Sequence, residues 1–588
     1  MYAQQIEKIP VWNLKQLYAD EKALKKDLKI VARQTEDFLK YRKLLERKPT
    51  RELVEEAMEK NEEMAILSHK MGTYSMLKFA QNTQDEEAKA LQNNLTQFFT
   101  NMGNQTLYFG LWWKNLDDKT AKKLAPHNKE HAYALNEMRK YRKHLLSEKE
   151  EQIINLKDAN GSDALVKLYE IATSGYTFPW KKGLKTIHIS EEELRPHIQG
   201  KDPKLRVKAY NMLWKKFGEH AGELGEIYVD LTHNYWNEHV TLRKFESPIS
   251  VRNKANNLDD EMVKNFLRVC EQNTDIFQEY MEWKMDLLHV PFSRYHTYAP
   301  LPHPNKKYTF EEGYATVMSA YDSFSPRFKR EANRVHAQKR LDAQLRKGKR
   351  GGAFCANATP NETAFVHMNW NGKLHDVFTL AHELGHAVHD HVSGHHSIFL
   401  QQAGLPLAET ASTFGEMLLA EKLKRENGHS SMGKYLLAQQ LDDAYSSIQR
   451  QAFFCKFEVD AFDAVHAGSS VTELNELYYE NLRTQFGKKM DIPIEASYEW
   501  LMIPHIFEAP FYVYAYAFGQ LLVTALWEMY QKEGKDFVPR YEKFLSYGGS
   551  KDPEKMLLEI GFDPRRKQSW QSGFHVLRNK LRELKKME

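Results

Sequence analysis

The stretch Thr379-Leu-Ala-His-Glu-Leu-Gly-His-Ala-Val-His-Asp390 contains His382-Glu383-Leu384-Gly385-His386, a match to H-E-x-x-H. On a helix, positions i and i+4 share one face, so both imidazoles can reach a single metal ion. Glu383 follows the first histidine by one residue, which places its carboxylate to hold a water beside that metal rather than the metal itself. Zinc, a water and a nearby carboxylate are the equipment for hydrolysing an amide. The competing reading is a buried helix with two satisfied core histidines. Leu380, Ala381, Leu384, Ala387 and Val388 give this helix an apolar surface, and Asp376 is expected to cap its N-terminus.

A catalytic zinc needs three protein ligands and one open position. The continuation H-E-x-x-H-x-x-G-x-x-H fails here, because His389 stands where glycine is required and Val392 where the third histidine is required. His389 lies two helical turns from His382, too far to bind the same ion. His391, His395 and His396 are expected in the following loop, facing solvent or serving structure. The better candidate is Glu409, on a helix that opens after Pro406. Glu416 sits seven residues further on, close to the same face, and is expected to orient a histidine ligand. Either glutamate would also suit a plain helix surface, but Phe414, Met417, Leu418 and Leu419 mark this helix as packed.

A second pattern, His127-Asn-Lys-Glu130-His131, formally matches the inverted motif H-x-x-E-H. Pro126 before it and the polar Asn128 and Lys129 within it read as the solvated first turn of a helix instead.

The elements that must position these residues are mostly helical. Apolar spacings of three and four run through residues 1 to about 180, with Thr50 as an N-cap lacking a capping-box partner. Thr177–Gly183 breaks the pattern, Lys185–Ile189 suits a short strand, and Ser190 with Glu193 has capping-box spacing. A soft boundary near residue 185 divides an N-terminal helical domain, 1–185, from a catalytic domain, 186–588. Asp202-Pro203 opens another helix, and helical pattern continues to about Leu288. Pro291, Pro300, Pro302 and Pro304 mark an extended connection, and helices resume from Tyr308 to Arg346. Lys347–Gly352 is a glycine-rich basic loop, expected to be a flexible flap. After it, Val366, Met368 and Trp370 alternate with Phe365, His367 and Asn369, a strand closed by the turn Asn371-Gly372. Its edge is expected to run along the site, where an extended peptide could add as a further strand, and an ordinary hairpin packed beside the helix is the equal alternative.

The segment around Pro510 has its own logic. A tetrahedral intermediate needs a hydrogen-bond donor aimed at its oxyanion. Tyr512 and Tyr516 are i and i+4, so one helical face carries both phenols, while Tyr514 points elsewhere. Pro510 is expected to begin that helix, with His505 approaching from the preceding turn. An aromatic packing stripe is the plain alternative.

Length and composition bound the rest. The 588 residues suggest several lobes. With 83 Lys and Arg against 79 Asp and Glu, the net charge of +4 is too balanced to imply nucleic acid or a membrane surface. Cys270, Cys355 and Cys455 make no disulfide framework and suit a reducing compartment. Met1–Lys8 lacks the pattern of a signal peptide, and Phe507–Trp527 carries Glu508, Pro510 and Gln520, which suits a buried helix better than a membrane span. The expected location is cytoplasmic. Nothing in the composition specifies an oligomeric state.

His382-Glu-Leu-Gly-His386 followed by Ala408-Glu409-Thr-Ala-Ser-Thr-Phe414 resembles the M3 metallopeptidases, in their oligoendopeptidase F branch. Three further stretches are similar to that family: Trp12–Tyr18, with Asn13 where aspartate is usual, Gly348–Cys355, and Ile503–Gly519. The resemblance implies one zinc ion per chain bound by His382, His386 and Glu409, with Glu383 as general base and proton shuttle. It implies transition-state and substrate binding by His505, Tyr512 and Tyr516, with Gly351, Gly352 and Tyr514 as further substrate-binding positions. The implied fold is a mostly helical two-lobed shell around a deep channel, with a zincin-type core and a small sheet beside the histidine helix. The implied substrates are short oligopeptides cut at internal bonds. A zinc carboxypeptidase or peptidyl-dipeptidase is the rival within the enzymes, with Arg350 as a terminus anchor. A non-catalytic helical peptide-binding protein is the rival outside them.

Overall fold

In a computed structural model, residues 9–302 and 306–587 are described. The reading of Met1–Lys8 and of Pro304 therefore lies outside the described residues. The chain is mostly helical, with one two-stranded and one three-stranded sheet among the described residues. It divides into two compact units, each built from three separate stretches of sequence. The first comprises Met1–Arg142, Asn305–Leu423 and Met529–Phe562; the second comprises Lys143–Pro304, Lys424–Glu528 and Asp563–Glu588.

In the first unit, three long helices, Glu21–Arg47, Arg51–Gln81 and Glu86–Asn115, start at Asp20, Thr50 and Asp85, whose side chains accept backbone N–H groups of the first turn. Thr50 caps alone, as its sequence context implies. The apolar faces of these helices close on Phe38, Val54, Met58 and Trp113 at one end. At the other they enclose Trp12, Leu17, Val31, Met71 and Phe365. Trp12 packs edge-on against Phe365 and stands 5.6 Å from the His367 ring, so the N-terminal segment covers the sheet. Asn13 accepts a hydrogen bond from Lys15 N–H, the capping task an aspartate would perform at that position.

That sheet contains β3 (Leu341–Asp342), β4 (Phe354–Ala356) and β5 (Phe365–His367), in the order β3-β5-β4. The helical pattern expected to reach Arg346 ends at Ala337, because the chain must turn into β3, which runs parallel to β5. β5 is the central strand, hydrogen-bonded on both sides, so the free edge belongs to β4 and not to the strand expected to carry it. The second unit holds the hairpin of β1 (Thr177–Lys182) and β2 (Lys185–Ser190). The break read at Thr177–Gly183 is thus itself mostly strand, ending at Gly183 with φ 62°. Ser190 and Glu193 form the expected capping box, and Asp202 caps the helix opened by Pro203. Among the described residues no helix is long and apolar enough to cross a membrane.

Candidate metal centre

The histidine helix spans Leu374–Ser393. Asp376 does not cap it from outside. The helix starts after Lys373, and Asp376 lies in its first turn, where its carboxylate accepts the N–H groups of Asn371 (2.6 Å) and Lys373 (3.0 Å). The Asn371-Gly372 turn leaves those two donors unpaired, and a short acid one turn into the helix reaches back to both.

Gly385 sets the distance to the neighbouring helix, Thr410–Asn427. A Cβ at this position would lie 2.5 Å from Ser412 Cα and 2.6 Å from Ala411 O, so only glycine permits this approach. Tyr321 ties the same face down by donating its hydroxyl to Ala381 O. From the other side Tyr541 donates to Thr410 O at 3.0 Å. Pro406 opens a single turn, Leu405–Ala408, after which Glu409 stands at the junction with the longer helix and faces the histidines.

Three potential ligand atoms converge. Glu409 Oε2 lies 3.3 Å from His382 Nε2 and 3.1 Å from His386 Nε2, and the two nitrogens are 3.2 Å apart. Metal–ligand bonds of about 2.0–2.1 Å in tetrahedral arrangement separate the ligand atoms by roughly 3.3 Å, so a zinc-sized ion fits this triangle. Among the described residues this is the one histidine, cysteine and acid group close enough to hold a metal. His382 Nδ1 is 2.6 Å from Glu416 Oε1, which fixes the ring so that Nε2 points at the shared centre.

Electrostatics describe the same demand for positive charge. Burial works against ionisation of Glu409, yet its bonds to His382 and His386 hold the carboxyl well below the usual carboxylate range. Burial also opposes charge on His382, but Glu409 and Glu416 together push its pKa well above that of an ordinary imidazole. Two acids thus draw a proton into the place where a cation would serve both. Glu383 differs from them. It is 6% exposed, its Oε2 has no hydrogen-bond partner, and burial raises its pKa.

These groups line a cavity of about 520 Å³. Its wall also carries His69 and Thr73 from the helix Arg51–Gln81, bonded to Ala358 O and Asn357 O, and the free edge strand β4. Asp390 closes one side, its pKa pushed up by burial to about 6, with Cys355 Sγ at 3.9 Å. Sequence reasoning missed all of these. Asp390 was recoverable, since it is i+4 from His386; His69 and Thr73 carried no local signal.

His389, His391 and His396 serve structure. His389 is buried, which lowers its pKa to about 4. His391 belongs to the helix rather than a loop, and its buried ring accepts from Ala364 N–H. His396 is bonded to Glu130. The turn read as solvated is exposed at His127, Asn128 and Lys129, but its end is not: His131 is buried and reaches Glu62 (2.8 Å), and Glu130 also accepts Ser397 N–H. The glycine-rich loop is anchored rather than free at its base. Lys349 Nζ pairs with the fully buried Asp342, Arg350 N–H bonds Ala80 O, and only Gly351, Gly352 and their basic neighbours are exposed.

In the second unit, His505 lies on a short helix, Pro504–Glu508, and forms a ring cluster with Tyr512 and Tyr516, at centroid distances of 5.7 and 6.0 Å. Pro510 does not begin the tyrosine helix. Phe511 has φ 59°, and the helix starts only at Tyr514. The turn is held by Glu458, buried and with its pKa pushed by burial to about 8, which accepts Phe511 N–H at 2.7 Å. Tyr514 is no substrate-binding residue, being fully buried with its hydroxyl accepting from Asn256.

Residues 197–576 match the family model described as Peptidase family M3, and residues 112–178 match Oligopeptidase F. An oligoendopeptidase F homolog of Borreliella burgdorferi is 26% identical over 587 residues, covering 98% of each chain. Oligopeptidase PepF of Bacillus subtilis is 24% identical, covering 98% of this chain and 87% of that one. The crystal structure of a Chlamydophila abortus protein has the same fold, with a TM-score of 0.87 at 22% identity over 98% of each chain.

Proposed function

Because the chain belongs to peptidase family M3, we propose that it is a zinc-dependent endopeptidase that cuts internal bonds of short oligopeptides. One observation carries this reading: His382, His386 and Glu409 converge beside the buried, unpartnered carboxylate of Glu383 in one cavity. The names of the relatives, oligoendopeptidase F and oligopeptidase PepF, support oligopeptides as the substrate class.

His382, His386 and Glu409 would hold the zinc, which when bound polarises a peptide carbonyl and acidifies water. Glu416 keeps His382 in the ring orientation that leaves Nε2 free for it. Glu383 accepts the proton of the attacking water as the oxygen–carbon bond forms. It returns that proton to the amide nitrogen as the carbon–nitrogen bond breaks, so that amine and acid leave together. Its raised pKa suits both halves of this exchange. The free edge of β4 offers backbone groups to an extended peptide. His505, Tyr512 and Tyr516 are assigned the supply of an oxyanion donor, as the sequence resemblance implies.

The test is mass spectrometry of fragments from peptides blocked at both ends, with and without a chelator. Internal cleavage that stops on chelation is expected. Uncut blocked peptides would leave only an exopeptidase, and cleavage indifferent to the chelator would remove the metal from the reaction.

A further inference from the structure

The second unit contains a cavity of about 120 Å³ with no part in this chemistry. Its lining holds four hydrogen-bond donors that are buried and unpartnered: Arg450 Nε, Trp214 Nε1, Tyr298 OH and Tyr478 OH. Tyr478 is fully buried and Trp214 is 5% exposed, so bulk water does not reach these two. Unsatisfied buried donors are rare, and four around one space are a pattern.

Charge points the same way. Glu499 is the one acid in the lining, and it is already taken: Arg294 binds both of its oxygens, at 3.2 and 2.6 Å, and Tyr210 donates to it at 2.5 Å. Arg450 has no carboxylate. Its guanidinium lies over Phe454 (4.7 Å) and near the Tyr298 ring (5.8 Å), contacts that cover its flat face and leave its N–H edge unused. A π turn, Tyr445–Gln449, interrupts the helix immediately before Arg450, a geometry frequent at functional sites. A buried cation with no counter-charge is costly unless something negative accompanies it.

We infer that this cavity is a binding site for a small monovalent anion, a halide or a carboxylate, held by Arg450, Tyr298, Tyr478 and Trp214. One negative charge matches the one uncompensated guanidinium. Arg450 Nε and Trp214 Nε1 can only donate and the two phenols can donate beside them, which suits an acceptor without protons of its own. The volume admits such an ion and excludes a peptide.

Crystals of the full-length protein grown without chloride and equilibrated with sodium bromide test this directly. An anomalous peak among the four donors is expected; ordered waters there without anomalous signal would overturn the site. In solution, chloride and acetate are titrated separately against thermal unfolding, with ionic strength matched by sodium HEPES. Stabilisation by chloride alone identifies a halide site, and displacement of bromide by acetate identifies a carboxylate site. Tyr478→Phe keeps the packing and removes one donor, and should weaken the ion about tenfold. Arg450→Gln should abolish the response, and where that variant fails to fold, Tyr478→Phe carries the test. Equal salt responses in wild type and Tyr478→Phe would reduce the effect to general screening and end the proposal.

Discussion

Two H/E/H patterns lie in the first unit, and they use the same residue types to opposite ends. In His127–His131, the bonded groups are taken by scattered partners within the protein. His131 is bonded to Glu62, and the two oxygens of Glu130 go to His396 and Ser397. His127 is exposed. In His382–His386, the free nitrogens and the Glu409 oxygen point at one another across about 3 Å, on the wall of a cavity. The difference lies in where the lone pairs go. Histidine and glutamate build a core when their partners are scattered through the fold, and a metal centre when their unused atoms meet at one point.

Substitutions that separate the two roles sharpen this contrast. Glu383→Ala should lower peptide hydrolysis by about 10²–10⁴-fold while one zinc per chain remains by atomic absorption. Wild-type turnover in that variant would erase the distinction. Glu416→Gln should weaken zinc by about 10–100-fold in a competition titration with a chelator, because His382 loses the carboxylate that aims it.

His131→Ala belongs to the other side of the comparison. It should leave zinc content and substrate affinity unchanged and cost about 2–3 kcal/mol of stability, read as a lower melting temperature, because Glu62 loses its buried partner. Glu130 gives the smallest effect and a pH signature. Although burial opposes its ionisation, His396 and Ser397 hold its pKa below the ordinary value. Its contribution is therefore present above the unfolded carboxylate pKa and lost as pH falls through the folded value. The melting temperature of Glu130→Gln should lie below that of wild type at neutral pH and converge with it in acid. A gap that stays constant with pH would place the effect outside this carboxylate.

How much of this was legible in the sequence follows the range of the interactions. The i, i+4 spacing placed His382 and His386 on one face, and local chemistry placed the caps at Thr50, Ser190 and Asp202. Glu409 and Glu416 came from a packed helix a short distance downstream, where a single turn sets the geometry. Errors arose where distant chain decides. β5 became the central strand because residues 341–342 pair with it, and His131 is buried by a helix some seventy residues away. Tyr514 turned inward because Phe511, held by Glu458, delays the helix start. None of these partners has a fixed spacing from the residue it controls.

Gly385 brings the histidine helix and the Glu409 helix into backbone contact, but the clamp on that contact, Tyr541, comes from the stretch Met529–Phe562. During synthesis, the two histidines and Glu409 leave the ribosome more than a hundred residues before Tyr541 does. The nascent chain holds His382, His386 and Glu409 for some time without the strut that ties their helices together.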